Sequence, residues 1–188
     1  MSDFLLIGVH PGSSAAVKKW LGQDTSLVAP ADQVTAVLES FAERGLFRAY
    51  SKGTTKGPRS TFKMLWHRDQ NFELVFDSAR KTLTFTRVLP EVPARSSMDR
   101  EFREWVAERQ SDELPDHRRI DARKCSLSCT NKKGDLGITL TAMGAKPDWE
   151  YCTRAIVNLV HEVYLMFLNQ GAYYTYMIDT FDLDPDHM

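Results

Sequence analysis

Cysteine, net charge and long hydrophobic runs are all scarce in this sequence of 188 residues. Its three cysteines, an odd number in a mid-sized chain, exclude a disulfide-stapled scaffold and indicate a reducing compartment. A formal net charge of −1 gives no general attraction to nucleic acid or to an anionic membrane. Apolar residues make up 43% of the chain, which is enough to build the core of one domain.

The apolar segments are short. The run Phe4–Val9 follows no basic residues and is too short for the core of a signal peptide, so we do not expect a leader there. The most apolar helix, predicted over Ile156–Leu168, carries Asn158 and Glu162 and is too short to span a bilayer. We therefore expect a soluble, cytoplasmic protein without a membrane partner.

The hydrophobic pattern changes its period along the chain and predicts eight elements in the order α-β-β-β-α-β-β-α. Apolar residues recur at helical spacing after Asp32, after Ser96 or Ser97, and after Asp148, each a residue type that caps helices. Alternating residues predict strands near 62–66, 72–76, 82–88, 120–130 and 136–142. This pattern predicts an α+β fold, in which an antiparallel five-stranded sheet has helices packed on one face.

The chain divides into three parts. Residues 1–30 are expected to form a short N-terminal extension, with a strand at Phe4–Val9 and a short helix capped by Ser13 or Ser14. Residues 31–172 form the α+β domain, and residues 173–188 form an aromatic and then acidic C-terminal tail. Within the domain, residues 51–60 are rich in Lys, Gly, Ser and Thr, which predicts a mobile polar loop.

The element order and the amphipathic last helix, which contains Ile156-Val157-Asn158-Leu159-Val160-His161-Glu162, carry a resemblance to a known fold. Over residues 32–168 the chain resembles the type III secretion chaperone-like fold, which includes the YbjN-type domains. The resemblance implies a small, cytoplasmic, often dimeric protein that binds other polypeptides without doing chemistry. Those chaperones are typically acidic, and this chain departs from them in being almost neutral.

A run of basic residues is the first candidate binding feature. It contains no acid, and its cations are Arg48, Lys52, Lys56, Arg59 and Lys63. Glycines in the run would let backbone N–H groups turn toward an anion, but Gly57-Pro58 breaks the phosphate-loop pattern. The run therefore predicts either a contact with an anionic partner or a solvated loop.

A second basic cluster, His117-Arg118-Arg119 with Arg123 and Lys124, is flanked by Asp116 and Asp121. Its field is partly cancelled, and no aromatic platform for stacking bases lies beside it in the sequence. We therefore do not expect a nucleic-acid partner.

Catalytic and metal motifs are missing. His161-Glu162 lacks the second histidine of a zinc-binding helix, because Leu165 stands in its place, and a half-buried His161 bonded to a nearby carboxylate or carbonyl is the favoured interpretation. Cys125 and Cys129 would lie ~13 Å apart on one strand at ~3.3 Å per residue, too far to share a metal. We predict no cofactor and no metal, and the missing motifs favour a protein that is not an enzyme.

Two further surfaces can serve a partner. Thr82, Thr84 and Thr86 would alternate outward on one strand, giving either a plain solvent-facing sheet or a partner surface. Tyrosines suit interfaces because each has an apolar ring and a polar tip, or they can clamp the tail onto the body. The tail tyrosines are Tyr173, Tyr174 and Tyr176.

The sequence thus predicts a non-enzymatic binding module for a polypeptide or for a second copy of itself, with a homodimer as one possible state. The alternative is an enzyme or a carrier of a small anionic compound. Its polar groups would be Arg48, Arg59, His67 and Arg87, brought together by strand and loop ends.

Overall fold

The structure is a computed structural model, and it describes residues 28–116, 118–169 and 171–184. The strand expected at Phe4–Val9 and the short helix expected after Ser13 or Ser14 lie outside these residues.

The described residues form four α-helices and six strands. The helices are α1 (Pro30–Glu43), α2 (Ser97–Glu108), α3 (Trp149–Glu162) and α4 (Tyr174–Phe181). The strands are β1 (Ala49–Lys56), β2 (Arg59–Leu65), β3 (Asn71–Asp77), β4 (Thr82–Leu89), β5 (Cys125–Lys132) and β6 (Asp135–Ala142). A 3₁₀ turn at His67–Asp69 joins β2 to β3, and a π-helical turn at Val163–Phe167 extends α3.

The six strands form one antiparallel sheet in the order β1-β2-β3-β4-β6-β5. The long segment containing α2 separates β4 from β5, and the chain returns to β4 through β6, so β1 and β5 are the two edges. The predicted α+β class, with helices on one face of an antiparallel sheet, is confirmed.

Alternation along the strands sends one set of side chains toward the helices. Phe62, Leu74, Phe85 and Ile138 come from four neighbouring strands and are fully buried. They pack in one core with α1, α2 and α3, which contribute buried residues such as Leu38. At ~25 cal/mol per Å² of apolar surface removed from water, this core is the main stabilising term of the fold.

Several predicted boundaries are confirmed by their local chemistry. The Ser96 hydroxyl accepts a hydrogen bond from the Asp99 N–H (3.2 Å) at the start of α2, and the Asp148 carboxylate accepts one from the Tyr151 N–H (3.0 Å) at the start of α3. Gly134 has a φ of +95° in the β5–β6 turn, as the hairpin sequence predicts.

Three predictions were wrong. Residues 51–60 are not a loop, because they form most of β1, the turn at Gly57 and the start of β2. An edge strand exposed on almost every residue carries no hydrophobic alternation, so its sequence resembles a loop. Because β1 was expected to be a loop, five strands were predicted where the sheet has six. The third wrong prediction is the start of α1, which begins at Pro30 with Asp32 inside its first turn rather than at its cap. Within the predicted tail, Tyr174–Phe181 form α4.

None of the helices in the described ranges is both long enough and apolar enough to cross a bilayer.

Candidate functional site

The face of the sheet that points away from the helices contains a groove of about 520 Å³, the open-face groove. It crosses all six strands and is lined mainly by threonines and cations. The lining residues are Thr54, Lys56, Arg59, Thr61, Val75, Asp77, Arg80, Thr82, Thr84, Thr86, Thr130, Lys132 and Thr139.

Strand register explains the threonine floor. Residues paired across antiparallel strands point to the same face, and Thr84 pairs with Thr139 while Thr82 pairs with Thr141. The hydroxyls of Thr84 and Thr139 are hydrogen-bonded at 3.0 Å. The predicted outward direction of Thr82, Thr84 and Thr86 is therefore confirmed.

Cations stand at both ends of the open-face groove. Lys56 and Arg59 flank the β1–β2 turn, and Arg80 lies in the β3–β4 turn, all at one end of the sheet. Lys132 precedes the β5–β6 turn at the opposite end. The lining thus has four cationic side chains and one carboxylate, that of Asp77, so the groove is locally positive although the whole chain is almost neutral.

Asp77 holds two of these cations in place. Its carboxylate accepts hydrogen bonds from the Arg80 backbone N–H (3.0 Å) and from Arg59 Nε (2.9 Å), and its side chain is only 7% exposed. The Arg80 N–H, with Arg59 as a further cause, holds the pKa of Asp77 below its usual value. Arg59 keeps 55% of its side chain exposed, so it can still meet a partner.

The other predicted basic residues lie elsewhere. Lys52 pairs with the buried Phe62, so it points to the helix side, opposite to Lys56. Arg48 forms an ion pair with Asp69 at the β2–β3 end of the sheet. Arg87 forms an ion pair with Asp135 at 3.2 Å.

The constellation expected for a small-anion enzyme or carrier is therefore split. Arg48, His67 and Arg87 lie at the end of the sheet where β3 begins, whereas Arg59 lies at the other end. Each is engaged by another group of this chain, and the four do not converge on one cavity.

His67 instead belongs to an aromatic cluster. Its Nε2 lies 3.0 Å from Nδ1 of His161, 94 residues away, and its ring stacks on Tyr164 at 4.4 Å. Burial, with the His161 and Arg68 charges as smaller causes, lowers the pKa of His67 to about 4. The prediction that His161 bonds to a nearby carboxylate or carbonyl was wrong, because its partner is the ring of His67 in the turn between β2 and β3.

Among the described residues, no three His, Cys, Asp or Glu side chains come together as a metal-ligand set.

Tail tyrosines fasten α4 to the body of the domain. Tyr173 is buried, hydrogen-bonds to Glu101 of α2 and stacks on Phe167 at 4.7 Å. The Tyr176 hydroxyl donates to the Pro90 carbonyl at 2.6 Å. Tyr174 stays 41% exposed. Of the two roles expected for these tyrosines, a partner interface or a clamp, Tyr173 and Tyr176 have the second, because they hold the tail on the body of the domain.

Of the two cysteines predicted to be small core residues, Cys125 is buried and Cys129 is partly buried against the core. Cys125 and Cys152 are buried, and interaction with the Cys152 thiol, followed by burial, raises the pKa of Cys125. Burial also raises the pKa of Cys129 to about 11.

Comparisons with protein-family models, with curated proteins and with solved structures found no match. The resemblance to the type III secretion chaperone-like fold therefore stays a prediction.

Proposed function

We propose that this protein is a binding module that holds an acidic polypeptide segment across the open face of its sheet. The observation that carries the proposal is the open-face groove, which is lined by threonines, left uncovered by the described helices and locally positive. Threonine hydroxyls both donate and accept, so such a floor suits the polar backbone of an extended peptide.

The size of the groove fits an extended segment better than a folded surface. β4 has eight residues and runs between the two cationic ends. An extended peptide rises ~3.3 Å per residue, so about six to eight of its residues would lie along the groove. Acidic side chains at the two ends of such a segment would meet Arg80 at one end and Lys132 at the other.

Docking on the face is favoured over addition of a strand to the edge. The edge strand β1 carries Lys52 and Lys56, and its pairing with β2 is irregular between Lys52 and Thr55. Lysines and bulges on an edge strand are devices that discourage pairing with another chain. On the other edge strand, β5, side chains already occupy backbone groups, since Arg103 donates to the Cys129 carbonyl (3.0 Å) and Gln110 donates to the Cys125 carbonyl (2.8 Å). The threonine face is therefore the open surface of the sheet that remains.

The test is a selection from a random twelve-residue peptide library on the immobilised protein, followed by affinity measurements on the enriched peptides. We expect enriched peptides to carry net negative charge. Lys56→Glu should weaken their binding by about three- to tenfold, because it replaces attraction at an exposed rim by repulsion.

Lys52→Glu is the matched control, because it makes the same charge change on the same strand but on the opposite face. Its affinity should equal that of the unsubstituted protein. A library without enrichment, enriched peptides that are neutral or basic, or equal losses in the two variants would each reject the proposal.

A further inference from the structure

A second cavity, of about 280 Å³, lies on the helix side of the sheet, between the end of α2, the segment before β5 and the outer face of α3. We call it the arginine cavity. Its lining residues are Arg109, Arg118, Arg119, Ile120, Tyr151, Arg154, Ala155, Asn158, Leu159 and Glu162. Four guanidinium groups thus face a single carboxylate.

Arg109 is the buried member, with 8% of its side chain exposed. A guanidinium stays charged in proteins, and a buried charge is costly unless hydrogen bonds compensate it. Nε of Arg109 is buried and has no hydrogen-bond partner within the described ranges. Its neighbouring carboxylates, Glu162 at 3.7 Å and Glu108 at 3.9 Å, are beyond hydrogen-bond distance.

The ring of Trp105 supports this cation, because the guanidinium carbon lies 4.4 Å from the ring centroid. A ring face attracts the charge but accepts none of the hydrogen bonds that the planar fork of five N–H groups can make. Arg109 therefore lies at the wall of the cavity with donor capacity left over.

Two of the other three arginines are held by acidic residues outside the lining, whereas Arg118 contacts the sulfur of Met166 at 3.3 Å. Arg119 is bonded to Asp112 and Asp116, which are almost fully exposed, and Arg154 is bonded to Glu150 at 3.0 Å. An acid bonded in this way orients an arginine while competing only partly for its donors, because exposed ion pairs are weak.

From this geometry we infer that the arginine cavity is a binding site for a phosphoryl group, either as free phosphate or on a small phosphate ester. Arg109 and Arg154 would donate to its oxygens from α2 and α3, and Arg118 would close the solvent side. Arginine forks match the geometry of phosphate oxygens, and such charge-assisted bonds are the strong ones. The cavity of about 280 Å³ is several times the ~30 Å³ that one water molecule occupies in the liquid. It therefore has room for a phosphoryl group and for an ester substituent.

Glu162 provides a way to distinguish a phosphate site from a cavity that has only a packing role. Its carboxylate lies 3.7 Å from Arg109 Nη1 and would be repelled by an incoming dianion. Removing its charge should therefore strengthen the binding of phosphate. If the cavity had only a packing role, the same change would produce no gain in affinity.

The test is calorimetric titration of the full chain with inorganic phosphate and with phenyl phosphate, at ionic strength matched with sodium chloride. We expect saturable binding of one equivalent of each. Arg154→Gln and Arg118→Gln, which alter exposed side chains, should each weaken it about tenfold, as the loss of a charged hydrogen bond does.

Arg100→Gln is the control, since it removes an exposed arginine of α2 that does not line the cavity. It should leave the affinity unchanged, and Glu162→Gln should raise it severalfold. Binding of phosphate but not of phenyl phosphate would identify free phosphate as the ligand. No saturable heat for either probe, or equal affinity in Arg154→Gln, Arg118→Gln and Arg100→Gln, would overturn the inference.

Discussion

The His67–His161 pair makes the stability of this protein depend on pH in a defined window. The two rings share one hydrogen bond of 3.0 Å, so at least one of them must stay unprotonated to accept it. Burial lowers the pKa of His67 to about 4, whereas a histidine in the unfolded chain titrates near its ordinary 6.5. Acidification therefore protonates the unfolded chain first.

The direction follows from proton counting. Between about pH 6.5 and pH 4 the unfolded chain binds more protons than the folded one, so the free energy of unfolding falls as the pH is lowered through this range. At 1.36 kcal/mol per pKa unit, the full shift corresponds to about 3 kcal/mol. Because His67 is only partly buried, solvent screening reduces this to about 1–2 kcal/mol.

The assay is urea unfolding at pH 7.5 and pH 4.5 for the unsubstituted protein and for His67→Phe. Phenylalanine keeps an aromatic ring against Tyr164 and removes the titration. Carboxylates titrate in both proteins, so their contribution cancels in the comparison. We expect the unsubstituted protein to lose about 1–2 kcal/mol more than His67→Phe over this interval.

The pKa itself can be measured by NMR titration of the His67 ring proton, with an expected midpoint near 4. A midpoint near 6.5, or the same loss of stability in both proteins, would refute the reasoning.

Three further predictions concern the core and the sheet. In a Cys129→Ser variant, which removes the partly exposed cysteine, neither Cys125 nor Cys152 should react with Ellman's reagent until the protein unfolds, because both are fully buried. Rapid labelling of this native variant would contradict the burial. In urea unfolding, Phe85→Ala should lower the free energy of unfolding by about 3–5 kcal/mol, whereas Thr84→Ala on the open face should lower it by under about 1 kcal/mol. Equal losses in the two variants would contradict the assigned faces. Gly137→Ala should lower the free energy of unfolding by about 1–3 kcal/mol in the same assay, because the added carbon would lie 2.8 Å from the Phe85 carbonyl oxygen. An unchanged urea midpoint would show that β4 and β6 are not packed this closely at Gly137.

The elements that bury one face are the ones that the sequence predicts well. β3 alternates Phe72, Leu74 and Phe76 on the core side, and α2 places Phe102 and Val106 on one stripe, so their periods are visible without a structure. The edge strand β1 has no such period because its residues are exposed on both sides. Its polar sequence is typical of a loop, and only pairing with β2 makes it a strand.

The candidate sites depend on contacts between distant parts of the chain. The outward threonines of β4 could be predicted from alternation. The cations that join them include Arg80 from the β3–β4 turn and Lys132 from the end of β5, and the sheet order brings these two to opposite ends of the groove. Arg109 is one of many charged residues around α2, and only its burial against Trp105 distinguishes it. No local pattern signals the meeting of His67 with His161 across 94 residues.

The most direct test of the proposed function is to map where an enriched acidic peptide binds, by its effect on the amide chemical shifts of the ¹⁵N-labelled protein. The proposal predicts that the shifts cluster on Thr82, Thr84, Thr86, Thr130 and Thr139, and that Lys56→Glu reduces them while Lys52→Glu does not. Shifts confined to the outer faces of α2 and α3, or to the edge strand β5, would contradict it.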